Sequence, residues 1–344
     1  GVGVQDYRKI LDRKDVDAII TATPEHWRAL ICIQACQAGK DIYAEKPVSL
    51  TIREGRLMVQ AARKYKRIFQ VGSQQRSQAI NCVGAKWIRD GGLGKLKKIL
   101  VMNFPSPFNC ALPEEPVPAG LDWEVWCGPT NPVPYHPQLY VPRGKPGWLS
   151  FRPYSGGEMT GWGSHAFDQV QSALGRDETG PVEVWVEGSK FNPPTITKPE
   201  KNPRANKICS EPKVFFRYAD GLVMGPGNAP GFGAVFVGEK GTFTIDRGKL
   251  ISDPPEMAQE VSRGAATTEN HVGNWIECIK TRQTPNADIE IGHRSATICH
   301  LGNIARWTNR KLHWDPVKET FPGDAEANEY LDRSRRKPYE LPEV

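Results

Sequence analysis

Val16-Asp17-Ala18-Ile19-Ile20-Thr21-Ala22 is a short apolar run that stops at Thr23-Pro24, and Asp41-Ile42-Tyr43-Ala44 repeats the arrangement, stopping at Glu45-Lys46-Pro47. Between them, His26 to Ala38 carries Leu30, Ile31, Ala35 and Ala38 at spacings that share one helical face, and Gly39 follows where a left-handed cap is favoured. Strand, helix and strand in this order form a crossover unit, which lays the two strands parallel in one sheet. Working outward, Asp6 to Arg13 reads as a helix before the first strand. Thr51-x-x-Glu54 is a capping-box pattern that opens a helix to about Tyr65, and Ile68-Phe69-Gln70-Val71 reads as a third strand.

From about Leu96 the grammar changes. Lys97 to Asn103, Val182 to Glu187, Val214 to Tyr218, Val235 to Val237 and Thr242 to Asp246 are strand-like runs separated by loops rich in proline and glycine, the pattern of an open, mainly antiparallel sheet. The long stretch between the first two runs holds Trp123, Trp126, Trp148 and Trp162, and a loop system of that length is usually functional or interface-forming. Met224 to Gly241 is glycine-rich but has no helix after it, so hairpin turns are expected there. His271 to Lys280 and Ile291 to Asn309 read as closing helices.

A chain of 344 residues, 39% of them hydrophobic, can bury two cores. Its net charge of +6 comes without a basic stripe interleaved with aromatics, which argues against nucleic acid as a partner. No apolar run approaches the ~20 residues that cross a bilayer, so no membrane span is expected. The eight cysteines form no C-x-x-C pair and no dense spacing; buried free thiols are expected, and no metal site.

Gly1-Val2-Gly3 has neither a strand before it nor a third glycine after it, so it is no dinucleotide fingerprint. The chemistry lies at the strand ends. Ligands of an open parallel sheet bind beyond the carboxyl ends of its strands, where Thr23-Pro24-Glu25-His26 and Glu45-Lys46-Pro47 share one crevice. Desolvation there disfavours an ammonium ion, so Lys46 is a candidate to exchange a proton with a hydroxyl near neutral pH. The alternative for Glu45-Lys46-Pro47 is an exposed ion pair at a helix start.

The two strand-end segments together, with Gln70-Val71-Gly72-Ser73-Gln74-Gln75-Arg76, Ser155-Gly156-Gly157-Glu158-Met159-Thr160-Gly161-Trp162-Gly163-Ser164-His165-Ala166-Phe167-Asp168 and the carboxyl-terminal run through Ile291-Gly292-His293-Arg294-Ser295 to Trp314-Asp315-Pro316, closely resemble the Gfo/Idh/MocA oxidoreductase family over nearly the whole chain. The resemblance implies an α/β plus α+β fold: part of a Rossmann-type nucleotide-binding domain at 1–77, then a substrate and oligomerisation domain at 78–344 with a large open sheet covered by helices on one face. It implies NAD or NADP as cofactor, a sugar, inositol or related polyol as substrate, and a homo-oligomer. Lys46 and His165 are then the catalytic pair; Thr23, Pro24, His26, Glu45, Lys46 and Gln74 meet the cofactor. Arg76, Arg152, Tyr154, Trp162 and Asp168 are the substrate candidates, although Trp and Tyr are as often packing residues, and Asp168 and His165 also suit a helix start.

Two positions depart from the family pattern. Gly161 stands where many members have an aspartate four residues before the histidine, so His165 is expected to lack that partner. Arg28 stands where many have histidine. A nucleotide domain of this kind opens with a strand, a glycine-rich turn and a helix; none precedes Val16, so the first half, on the order of 50 residues, is expected to be missing, and with it the residue that chooses NAD or NADP. The expected compartment is the cytoplasm, with export left open. Redox-neutral glycoside cleavage through transient oxidation, and a non-catalytic sugar-binding role, are the competing readings.

Overall fold

The structure is a computed structural model that describes residues 3–143, 147–199 and 209–344. The first strands are β1 (Ala18–Thr21), β2 (Asp41–Ala44) and β3 (Phe69–Val71), and they form a parallel sheet in that order, with Ile19 opposite Ile42 and Ile42 opposite Phe69. Helices Glu25–Gln37 and Ile52–Lys64 cover it with a core that includes Cys32, Ile33, Cys36, Met58 and Ala61. Gly39 takes the left-handed cap at φ 77°. At the second helix Thr51 accepts from the Glu54 N–H at 3.2 Å, but the Glu54 carboxylate reaches back to the Leu50 N–H at 3.1 Å, one residue beyond an ordinary capping box. Arg333 and Arg335 hold the same buried carboxylate, which ties the carboxyl-terminal segment to this helix.

The remaining strands are β4 (Leu96–Val101), β5 (Asn109–Cys110), β6 (Glu183–Glu187), β7 (Thr195–Ile196), β8 (Lys213–Arg217), β9 (Val223–Pro226), β10 (Ala234–Gly238), β11 (Gly241–Asp246), β12 (Lys249–Asp253) and β13 (Leu312–His313). Eight of them make one sheet in the order β12-β11-β10-β4-β9-β8-β6-β13, antiparallel except where β4 meets β9. Alternation gives it one buried face, with Ile99, Val184, Phe216, Met224, Phe236 and Phe243 against helices Ala79–Arg89, Gly163–Leu174 and Ile289–Thr308. On the other face Trp185 and Phe215 stack at 5.5 Å, only partly covered. β5 and β7 pair beside a separate aromatic core of Trp123, Trp148, Phe151 and Tyr154.

Helix Ile289–Thr308 joins the two sheets. It starts two residues before the expected Ile291 because Asp288 accepts from the Glu290 N–H at 3.0 Å and so sets the cap. Gly292 permits the close approach: a Cβ there would lie 2.4 Å from the Val71 side chain. The Val71 N–H also donates to the Ala287 carbonyl at 2.8 Å. The same helix packs on residues 158–174, and the strand-end residues Glu25 and Lys46 reach Ser155, just before that segment, and Gly161 within it. The first expected helix, Asp6 to Arg13, is one turn, Arg8–Leu11. All eight cysteines are free, with Cys82 exposed and Cys110 partly so. Among the described residues no helix is long and apolar enough to cross a membrane.

Candidate active site

Lys46 lies two residues beyond the end of β2, and its bond to Pro47 is cis. Its Nζ donates to the Gly161 carbonyl at 2.9 Å. Burial first, and then the nearby Arg143 guanidinium, lower its pKa from the ordinary 10.5. On either side the strand ends supply polar groups: the Thr21 and Thr23 hydroxyls lie 3.0 Å apart, and Gln74 donates to Glu45 at 3.2 Å. A Cβ on Gly72 would sit 2.8 Å from the Glu45 carboxylate, so glycine leaves room for this pair. Arg28 answers the question raised by its sequence position. Its buried guanidinium donates to the Thr23 and Pro47 carbonyls and thereby ties the first strand-end loop to the second.

Glu25 was not singled out from the sequence, yet it is fully buried at the junction. It accepts from the Ser155 hydroxyl at 2.8 Å and the Gly156 N–H at 3.1 Å, on the segment that leads to Gly161. Burial raises its carboxyl from 4.5 to about 7, against the lowering by Arg28 and by these hydrogen bonds. The folded protein holds this proton more tightly than the unfolded chain. Its contribution to stability is therefore full below about pH 4.5 and lost as pH rises to about 7. Glu25→Gln has no proton to lose, so its Tm profile should be flatter than wild type across that window, by a difference on the order of 3 kcal/mol. Melts between pH 4 and pH 8 check this, and parallel profiles would refute it.

His165 lies on helix Gly163–Leu174, 5% exposed. Its Nε2 is 3.0 Å from Arg247 Nη2; an arginine can only donate, so this nitrogen accepts and the ring is the Nδ1–H tautomer. Burial, then Lys46, Arg247 and Arg143 push its pKa well below 6.5, so the ring is neutral. The space that a side chain at position 161 would need is already taken. A Cβ on Gly161 would meet the Glu158 carboxylate at 2.6 Å, and Glu158 pairs with Arg143 at 3.0 Å. His165 itself takes an arginine where a carboxylate partner was considered. Trp162 stacks on Phe232 at 4.6 Å beside it and borders a cavity of about 640 Å³ with Arg143 and Glu158.

The other sequence candidates do not converge on this point. His26, 1% exposed, is enclosed by aromatic rings. Its Nε2 donates to the Trp126 carbonyl at 2.9 Å and its pKa is lowered to about 3 by burial, so it anchors the first loop to the tryptophan-rich core instead of opening to the crevice. Tyr154 is 0% exposed in that same core, where packing covers the ring face expected to meet a sugar. Arg76 and Asp168 are spent on each other: Nε donates to the carboxylate at 3.0 Å, and Asp177 takes the far side of the guanidinium at 2.8 Å. Arg152 lies over the Trp307 ring at 4.4 Å, on a different cavity of about 630 Å³. Thr23, Pro24, Glu45, Lys46 and Gln74 lie at the strand ends, and His165 and Trp162 lie on the segment that Lys46 reaches. Arg143, Glu158 and Arg247 join them; Glu158 lies in the quoted segment 155–168 without having been named as a candidate, and no local motif marked Arg143 or Arg247.

Two family models match the chain: "Oxidoreductase family, NAD-binding Rossmann fold" over residues 2–73 and "Oxidoreductase family, C-terminal alpha/beta domain" over residues 104–341. Levoglucosan dehydrogenase of Pseudarthrobacter phenanthrenivorans is 33% identical over 91 residues, 26% of this chain and 23% of that protein. Alpha-N-acetylgalactosaminidase of Shewanella oneidensis is 40% identical over 48 residues, 14% and 10% of the two chains. The matches thus span about a quarter or less of the length of these curated relatives. Among solved structures, the WlbA dehydrogenase from Bordetella pertussis in complex with NADH and UDP-GlcNAcA aligns with TM-score 0.63 at 17% identity, covering 91% of this chain and 83% of that one. Levoglucosan dehydrogenase in complex with NADH and levoglucosan aligns with TM-score 0.56 at 16% identity, covering 90% and 83%. At these identities the likeness is one of fold.

Proposed function

The chain belongs to the Gfo/Idh/MocA oxidoreductase family, and from that premise we propose that it is an NAD(P)-dependent oxidoreductase acting on a CH–OH group of a sugar, inositol or related polyol. The observation that carries the reading is Lys46: a lysine at the carboxyl end of a parallel strand, its ammonium disfavoured by burial, held on the carbonyl of Gly161 just before the helix of His165. The half-buried side chains of Thr23, Glu45 and Gln74 line the same strand ends and fit the nicotinamide end of a dinucleotide, with Gly72 keeping the Glu45–Gln74 pair in place. The described residues include no glycine-rich strand-to-helix turn for the pyrophosphate, so contacts are assigned at the nicotinamide end alone. A bound nicotinamide would supply the acceptor for hydride from the carbon that carries the hydroxyl.

Lys46, in its neutral form, takes the hydroxyl proton as that hydride leaves. The Gly161 carbonyl holds one of its N–H bonds and so fixes the position of Nζ. His165 is neutral with an accepting Nε2, and the cations around it oppose its protonation. It is therefore assigned to orient a substrate hydroxyl, and the proton goes to Lys46. The division at residues 77 and 78 is kept as the boundary between cofactor and substrate units.

The test is to incubate the protein with NAD or NADP and a panel of aldoses and inositols and to follow NADH or NADPH fluorescence. Stoichiometric reduced cofactor supports the reading. The short match to an N-acetylgalactosaminidase keeps the redox-neutral alternative in the test, and release of aryl alcohol from an aryl glycoside without accumulation of NADH would favour it. The partly covered sheet face around Trp185 and Phe215 is proposed to be buried in a homo-oligomer. Sedimentation at micromolar concentration should show dimers or larger species; monomer alone would remove that part of the proposal.

A further inference from the structure

Arg247 occupies the turn Asp246–Arg247–Gly248 between β11 and β12. Asn81 pins that turn from both sides: its Nδ2 donates to the Asp246 carbonyl at 3.0 Å and its Oδ1 accepts from the Gly248 N–H at 2.9 Å. The guanidinium lies over the Phe232 ring at 3.9 Å, Phe232 stacks in turn on Trp162, and Nη2 reaches His165. The cations of this site differ in how they are compensated. Lys46 has Glu45, Glu158 and Glu25 around it, and Arg143 is paired with Glu158. The acid whose charge acts on Arg247 is Asp246 on its own turn, and the two form no ion pair among the described residues.

An arginine held by a ring face, a rigid turn and a neutral imidazole has already lost most of its side-chain freedom, so it takes an incoming anion at a reduced entropic cost. Stacking uses the face of the guanidinium and leaves edge N–H donors, whose fork matches the two oxygens of a carboxylate. His165 Nε2 is a replaceable partner, because a substrate hydroxyl can donate to it equally well. We propose that Arg247 anchors a carboxylate of the substrate, so that the Lys46 site takes a sugar acid in preference to the corresponding neutral sugar. This rests on the sugar-oxidoreductase reading above and specifies its substrate class.

The experiment is calorimetric titration of the intact protein, without cofactor and at low salt, with paired ligands: glucuronate and glucose, galacturonate and galactose, with glucose 6-phosphate as a third arm. The expected result is that at least one uronate binds at least tenfold more tightly than its neutral partner. Arg247→Gln should abolish that preference and Arg247→Lys should retain part of it. Arg247 is exposed on a turn, and thermal melts of both variants verify that they fold. Equal binding of acid and neutral sugar, a preference that survives in Arg247→Gln, or no binding by any uronate overturns the proposal. Tighter binding of the phosphate than of any uronate replaces a carboxylate anchor by a phosphate anchor and overturns it too. Formation of NADH is read separately. A uronate preference lost in Arg247→Gln, with no NADH formed from any sugar, would leave the anchor standing and remove the dehydrogenase.

Discussion

Replacing Lys46 by alanine is expected to lower kcat by at least about a hundredfold, the usual scale for a positioned proton-transfer group, while NADH affinity measured by fluorescence titration changes little. The charged form of this amine is opposed by burial and by Arg143, and the Gly161 carbonyl is the contact that fixes it. Lys46→Arg separates proton transfer from charge and packing. A guanidinium can still donate to that carbonyl, but it stays protonated and cannot receive a proton. It should therefore be as inactive as Lys46→Ala. A Lys46→Arg enzyme with a substantial fraction of wild-type kcat would mean that the residue positions the substrate and does not carry its proton.

The place of Lys46 at a strand end could be read from the sequence because both of its determinants are local: a short apolar run and a proline that stops it. The parallel order of β1 to β3 follows from the helices between them. The partners of Lys46 follow from neither. Gly161 read as the loss of a carboxylate, since sequence spacing counts residues and not volumes; in space, the Glu158 carboxylate from the preceding turn stands where a side chain at 161 would go. Arg143 comes from an irregular loop and Arg247 from a hairpin turn, segments whose periodicity predicts nothing about direction; their places near His165 depend on long-range packing. Tyr154 and His26 erred in the opposite sense. An aromatic residue in a proline-rich loop suits a sugar face or a core equally well, and the tryptophan-rich insert turned out to have a core of its own. Glu25 lay in the quoted loop all along, but nothing about its neighbours in sequence says that Ser155 and Gly156 will close over it.

The ion pair of Arg76 with Asp168 gives the largest expected change in stability. Arg76 follows β3 and Asp168 lies on the helix of His165, so the pair spans the junction that sets Lys46 against Gly161. Their side chains are 7% and 1% exposed. Arg76→Leu leaves the Asp168 carboxylate buried with the Ser295 hydroxyl, 2.8 Å away, as its remaining side-chain donor among the described residues. Stranding one member of a buried pair costs about 3–5 kcal/mol, whereas removing both members is often close to neutral. The double variant Arg76→Leu with Asp168→Leu should therefore recover a large part of the loss, a coupling that a thermodynamic cycle in denaturant measures directly. If these residues bind substrate instead, Arg76→Leu will melt near wild type and show a raised KM. The geometry argues for the first outcome, since a guanidinium already shared between Asp168 and Asp177 gains little by exchanging a carboxylate for a neutral hydroxyl.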